Sequence, residues 1–171
     1  DEEKITEMNY GPNGKLLKIT VQEGERTTTE RKIEHELAAD SVDLLTGTLL
    51  LMQRAKNGGE CKGSFPVFDG KRRYNITLTG GGMDTIKQTG FSIYSGKALK
   101  CTLKVQPVAG FKEKDYKRGW LAVQSHTEER KKPPTIWFAR PDPEGPVIPV
   151  RMEINSSYGA VVAHLTAQNK K

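Results

Sequence analysis

The chain has few of the residues and patterns from which catalysis or membrane insertion can be read in a sequence. Its 171 residues include only three histidines and two cysteines. His35, His126 and His164 are isolated, with no His or Cys partner at ligand spacing, so no metal centre is expected. No Gly-x-Ser-x-Gly elbow occurs, which leaves a Ser-His-Asp mechanism without an anchor. Gly80-Gly81-Gly82 is not followed by the Gly-Lys-Ser/Thr of a phosphate cradle and reads as a strand connector. No apolar run approaches the roughly 20 residues that a membrane-crossing helix needs. Leu49-Leu50-Leu51-Met52 is too short and sits among polar residues. A signal peptide is also lacking, so the chain is expected to be cytosolic, already processed or a fragment.

Hydrophobic residues make up 35% of the chain, enough for a sheet wetted on one face and poor for a compact helical globule. With 17 glycines and nine prolines, the composition favours a turn-rich β protein of one domain. Lys and Arg number 27 against 21 Asp and Glu, a net charge of +6. Two readings of that excess stand side by side: an anionic partner, or a solvated basic surface. The densest basic group, Arg130-Lys131-Lys132, directly follows Glu128-Glu129, and the aromatic residues are not interleaved with basic ones. A nucleic-acid platform is therefore not expected.

Period-two alternation is the main positive signal. Leu17, Ile19 and Val21 alternate with polar residues after an Asn13-Gly14 turn, and Tyr10 ends a preceding strand. Thr27 to Glu36 reads as an exposed edge strand. Tyr74, Ile76 and Leu78 share one face, opposite Arg73, Asn75 and Thr77. Asp69-Gly70 before them signals a two-residue type I′ hairpin, which gives Asp69 a backbone role rather than a catalytic one. A further strand is expected over Thr85 to Tyr94. Leu99, Cys101, Leu103 and Val105 share a face in a strand that Pro107 is expected to end. Gly110 to Gly119 is a loop or short helix, Trp120 to Ser125 a strand, and Ile136 and Phe138 lie on one face of the next. Val150, Met152 and Ile154, then Val161, Ala163 and Leu165, form a terminal hairpin joined through Ser156-Ser157-Tyr158-Gly159.

One segment breaks the pattern. From Asp40 to Ala55, Val42, Leu45, Leu49 and Met52 follow helical spacing, with Ser41 or Asp40 as cap and Asp43 in the first turn. Gly47 and two threonines weaken this helix, so it should depend on burial. Asn57-Gly58-Gly59 ends it. The fold class expected is mainly β: a curved antiparallel sheet, open as a half-barrel or spiral, around one substantial helix at about 41–55. A two-sheet sandwich is the alternative.

The cysteines admit two states, a crosslink across the sheet or two buried free thiols. Their strand contexts and the inward orientation of Cys101 favour pairing, which would imply an oxidising compartment.

Several of these segments together resemble a family of exported bacterial proteins, the domain-of-unknown-function family 3108. They are Val42-Asp43-Leu44-Leu45, Cys61-x-Gly63-x-x-Pro66-Val67-Phe68-Asp69-Gly70-x-Arg72-Arg73-Tyr74, and Tyr94-Ser95-Gly96-x-Ala98-Leu99-x-Cys101 followed by Pro107-Val108-Ala109-Gly110. Ile136-Trp137-Phe138-Ala139, Pro149-Val150-Arg151-Met152-Glu153-Ile154 and the closing Gly159 strand fit as well, so the resemblance runs from about Ser41 to Ala167. It implies a β-rich fold in the periplasm or envelope of a Gram-negative bacterium, and it favours the Cys61–Cys101 disulfide. By analogy it points to open envelope folds that carry lipid or lipoprotein. Family members carry a secretion signal and several strands before the resembling region, so this chain reads as the C-terminal portion of a larger domain. An open sheet edge would then await the protein's own N-terminal portion or another partner.

The expected function is non-enzymatic, needing no cofactor: binding of lipid or another hydrophobic ligand, with peripheral contact to the membrane. Candidate cavity residues are Leu45, Leu49, Met52, Trp120, Trp137 and Phe138; candidate anion contacts are Arg72 and Arg73. The alternatives are an envelope scaffold pairing through a sheet edge and a cell-wall-acting enzyme, the latter with no residue cluster behind it.

Overall fold

The computed structural model describes residues 3–25, 28–56, 60–156 and 159–166. Strand is the commonest element among the described residues, as expected, and the strands form two sheets rather than one.

The smaller sheet is antiparallel, in the order β1 (Lys4–Tyr10), β2 (Leu16–Glu23), β3 (Thr29–Arg31). The expected alternation in β2 is offset by one residue at its start. A register shift between Asn9 and Tyr10 pairs Tyr10 with Leu16 and Asn9 with Lys18, leaving Leu17 unpaired. Leu16, Ile19 and Val21 are buried, while Leu17 is 60% exposed. An irregularity of this kind inverts the facing of every residue beyond it. The edge strand expected from Thr27 to Glu36 is confined to β3, and α1 (His35–Ala38) follows; Thr27 lies outside the described residues.

The larger sheet comprises β4 (Gly63–Phe68), β5 (Arg73–Thr79), β6 (Met83–Ile86), β7 (Gly96–Ala109), β8 (Thr135–Ala139), β9 (Ile148–Ser156) and β10 (Gly159–His164). Its order is β10-β9-β8-β7-β5-β4, with β6 added beside β7, and it does not close into a barrel. The strand expected over Thr85 to Tyr94 shrinks to β6. The Asp69 hairpin is a four-residue connection, not a two-residue turn. Asp69 Oδ1 accepts hydrogen bonds from the Lys71 and Arg72 amides at 3.0 and 2.7 Å.

The 14-residue β7 organises this sheet. β6 and β8 flank its first half, and β5 pairs with its second half. It runs through Pro107, the expected end of the strand. Leu103 donates its amide to Pro134 O at 2.8 Å and Val105 donates to Gln124 Oε1 at 2.7 Å, on the side away from β5. Two residues further on, Pro107 directs its missing donor to that same side, where no described strand lies. An edge position of this kind tolerates proline.

Two helices flank this sheet. α2 (Leu44–Lys56) starts later than expected because Asp43, not Asp40 or Ser41, is its cap. Asp43 Oδ1 accepts from the amides of Leu45 and Thr46 at 2.9 Å each, and Oδ2 from the Thr46 hydroxyl at 2.6 Å. Gly47 is buried between Val67 and Val42, where a Cβ would lie 3.4 Å from Val67 Cγ2 and 3.6 Å from Val42 Cγ2, at ordinary contact distance. The signal Asn57-Gly58-Gly59 for its end lies outside the described residues.

After α3 (Glu113–Lys117), α4 (Trp120–Glu129) occupies the segment expected to be a strand. Its buried residues are Leu121, Gln124 and Thr127, two of them polar, so hydrophobic periodicity does not reveal the helix. Gln124 acts in place of a neighbouring strand. Its Oε1 accepts the Val105 amide and its Nε2 donates to the Val105 carbonyl at 2.9 Å, satisfying β7 where β8 has ended.

Candidate functional site: an apolar groove at the open end of the inner face

The inner face of the large sheet has two ends. At one end Leu51 of α2 packs against Phe65, Leu78, Leu99 and the Cys61–Cys101 pair. The structure joins these two cysteines in a disulfide across 40 positions, with Cα atoms 5.4 Å apart. The space left there is about 10 Å³, no more than one water molecule requires.

At the other end the same strands continue past α2. Tyr74 and Ile76 of β5, Leu103 and Val105 of β7, and Met152 of β9 floor a groove of about 680 Å³. Leu44 forms one wall, and Phe111, Trp120 and Leu121 another. Gly110, at φ +80°, starts the segment that carries Phe111 back over the sheet; a Cβ there would collide with the Lys71 carbonyl. The Phe111 ring stands edge-on to Tyr74 with centroids 6.3 Å apart and lies 6.1 Å from Tyr116.

The rim is charged. Arg72 pairs with Asp69 at 2.8 Å and reaches Asp115 at 3.6 Å, tying the β4–β5 turn to α3. Its guanidinium lies 5.6 Å from the Phe111 centroid. Asp115 also accepts the Lys112 amide at 2.7 Å. That amide above all, then Arg72, Lys71 and Lys114, holds its carboxyl below the usual range against some desolvation. Both rim acids are thus engaged, whereas Lys114 and Arg118 line the groove with no ion-pair partner among the described residues. Burial pushes the Tyr74 hydroxyl up to about 12; the Asp69 charge adds to the shift and Arg72 opposes it. Tyr74 therefore stays neutral at physiological pH and acts as a largely apolar surface with one polar tip.

The sequence candidates separate. Trp120 lines the groove, with its indole N–H donated to Gln124 Oε1 at 3.3 Å. Met52 packs against the closed end. Leu45 and Leu49 point outward, 77% and 57% exposed, because the buried side of α2 is the one carrying Gly47 and Leu51. Phe138 and Trp137 are buried in different cores, Phe138 at the closed end and Trp137 with Ile86, Ala98 and Val150. Trp137 donates its N–H to Asp84 at 3.0 Å and has Lys100 and Arg151 near its ring. Both rings serve packing rather than the groove. Tyr158 lies outside the described residues.

Of the candidate anion contacts, Arg72 stands at the rim already paired. Arg73 points elsewhere, donating to the carbonyls of Leu37 and Ala39 and so tying β5 to α1. Sequence reasoning did not assemble Tyr74, Phe111, Leu121, Lys114 or Arg118. The available signal was the charged stretch between Gly110 and Gly119 with its spaced aromatics, which becomes a wall only once α4 is recognised as a helix. Among the described residues no group of three or more His, Cys, Asp or Glu side chains is placed to hold a metal. No described helix is long and apolar enough to cross a membrane.

No curated protein and no solved structure is similar enough to this chain to match it. One family model does match, that of "Protein of unknown function (DUF3108)", over residues 1–166, which extends the resemblance from about Ser41 back to residue 1. With nearly its whole length covered, the chain belongs to the DUF3108 family.

Proposed function

We propose that this protein is a non-enzymatic carrier that holds one hydrophobic or amphipathic molecule, of lipid type, in the groove at the open end of its inner face. The observation that supports this most is the contrast along one sheet face: about 10 Å³ at the end closed by α2 and the disulfide, about 680 Å³ at the other. A volume of this size, apolar on its floor with few polar groups at its edge, has the form of a small-molecule site. The rim cations Lys114 and Arg118 suit an anionic head. The disulfide and the family resemblance together favour an envelope location, in the periplasm of a Gram-negative bacterium. No cofactor enters this reading.

The test is uptake of a fluorescent medium-chain fatty acid by the purified protein. One molecule per chain is expected, with quenching of Trp120 fluorescence. Val105→Asp should abolish uptake while circular dichroism stays unchanged. Wild-type protein that takes up no such probe, and yields no lipid on solvent extraction, would contradict the reading.

A second reading, an envelope scaffold, rests on β10. One edge of this strand pairs with β9; along the other, Leu165 just beyond the strand accepts the Ile93 amide at 3.0 Å. Beside it Phe91 is 78% exposed over an open groove lined by Ala160, Val162 and His164. A partner strand added there predicts a complex that survives loss of the lipid groove, detectable by size exclusion with the Val105→Asp variant.

A further inference from the structure

The proposed groove does not account for the outer face of α2. Leu45 and Leu49, one helical turn apart, are among the most exposed large apolar side chains of the described residues. Leu44 is 49% exposed and at the same time lines the groove, so this apolar strip runs directly into the groove wall. A strip that continues into an apolar groove is contiguous rather than scattered, and contiguous apolar surface marks an interaction site.

The charge around the strip narrows what it meets. α2 itself contains no Asp or Glu, and the carboxylate at its start, Asp43, is taken up by its capping hydrogen bonds with Leu45 and Thr46. Lys114 and Arg118 line the same groove as Leu44 and have no ion-pair partner among the described residues. Exposed leucines that adjoin a groove rim with two such cations match the requirements of an anionic bilayer surface, which takes apolar side chains into the headgroup boundary and attracts basic ones. Three leucines fall far short of the roughly 800 Å² per partner that a stable protein interface buries. Shallow insertion into a bilayer has no such requirement.

We propose that the outer face of α2, through Leu45 and Leu49, docks this protein on an anionic lipid bilayer, with the groove wall at Leu44 turned toward the lipid. This deepens the carrier reading by naming the surface from which the groove is loaded. Docking and uptake use different residues, so each can fail without the other.

The experiment is co-sedimentation of the full chain with phosphatidylcholine vesicles, with and without phosphatidylglycerol, alongside uptake of a soluble fluorescent fatty acid in the absence of vesicles. Binding to the anionic vesicles is expected to be roughly tenfold tighter than to neutral ones and to weaken with salt. The double variant Leu45→Gln, Leu49→Gln should lose roughly tenfold in vesicle binding and keep wild-type fatty-acid uptake. Val105→Asp should do the reverse, which separates failure of docking from failure of the groove. The proposal is overturned if wild-type protein ignores both vesicle types, or if the leucine variant sediments with vesicles as well as wild type. It is likewise overturned if sedimentation velocity shows a dimer that the leucine variant dissolves, which would assign the face to a second copy of the chain.

Discussion

The two ends of the inner face are made by the same strands and differ in what covers them. β5 and β7 contribute Leu78, Leu99 and Cys101 to one end and Tyr74, Ile76, Leu103 and Val105 to the other. At the first, α2 packs Leu51 into the core, and the disulfide fixes the chain between α2 and β4 to the middle of the sheet. At the second, the cover is α4, fastened to the edge of β7 by the Gln124 clamp, with α3 and an aromatic cluster beside it. The alternation of a strand fixes which side chains face inward; the cover decides whether they become core or site.

The largest effects should fall at the closed end. Leu99→Ala, at a side chain 5% exposed, should cost about 3 kcal/mol by chemical denaturation. Replacing Cys61 and Cys101 by Ala should cost about 4 kcal/mol, the loop-closure value for 40 positions. Equal truncation at the open end, Leu103→Ala, should cost less than about 1.5 kcal/mol, since that side chain borders a groove and leaves no closed cavity. Equal losses at both ends would erase the comparison.

Next in size is the clamp. Gln124→Ala leaves the Val105 amide and carbonyl without these partners and should cost about 2 kcal/mol. It should also speed amide exchange at Val105, while exchange at Leu99, at the closed end, stays unchanged.

The smallest effect concerns the cap of α2. Asp43→Ala should cost about 1 kcal/mol at neutral pH. Burial opposes the charge of Asp43, but hydrogen bonds from Thr46 and Leu45 outweigh it and lower its pKa. A carboxyl lowered by folding stabilises the native state above its unfolded pKa of about 3.9, and that contribution is lost as pH falls through the folded value. The gap between Asp43→Ala and wild type in thermal melts should therefore narrow as pH drops below about 4. A gap that widens there would place the cap elsewhere.

The strands could be read from the chain because burial of one face imposes period two on β5, β7 and β9 whatever their neighbours. The helix at Trp120 could not, because its inward face carries Gln124 and Thr127, chosen for hydrogen bonding rather than for apolarity. The facing of Leu16 and Leu17 depends on a register shift to which no local residue pattern points. The candidate site suffered from the same limit. Large aromatics mark cores and cavities alike, and only the placement of α4 separates Trp120 at the groove from Trp137 and Phe138 in the cores. Arg72 and Arg73 are adjacent in sequence, yet the first ends the turn and pairs at the groove rim while the second opens β5 and reaches α1.

The most direct test of the central claim is native mass spectrometry of the unreduced protein mixed with a medium-chain fatty acid, comparing wild type with Val105→Asp and Leu51→Ala. The account predicts a one-to-one adduct on wild type, none on Val105→Asp, and an undiminished adduct on the less stable Leu51→Ala. An adduct that survives Val105→Asp and disappears with Leu51→Ala would place the ligand at the closed end and contradict the division of the inner face into core and site.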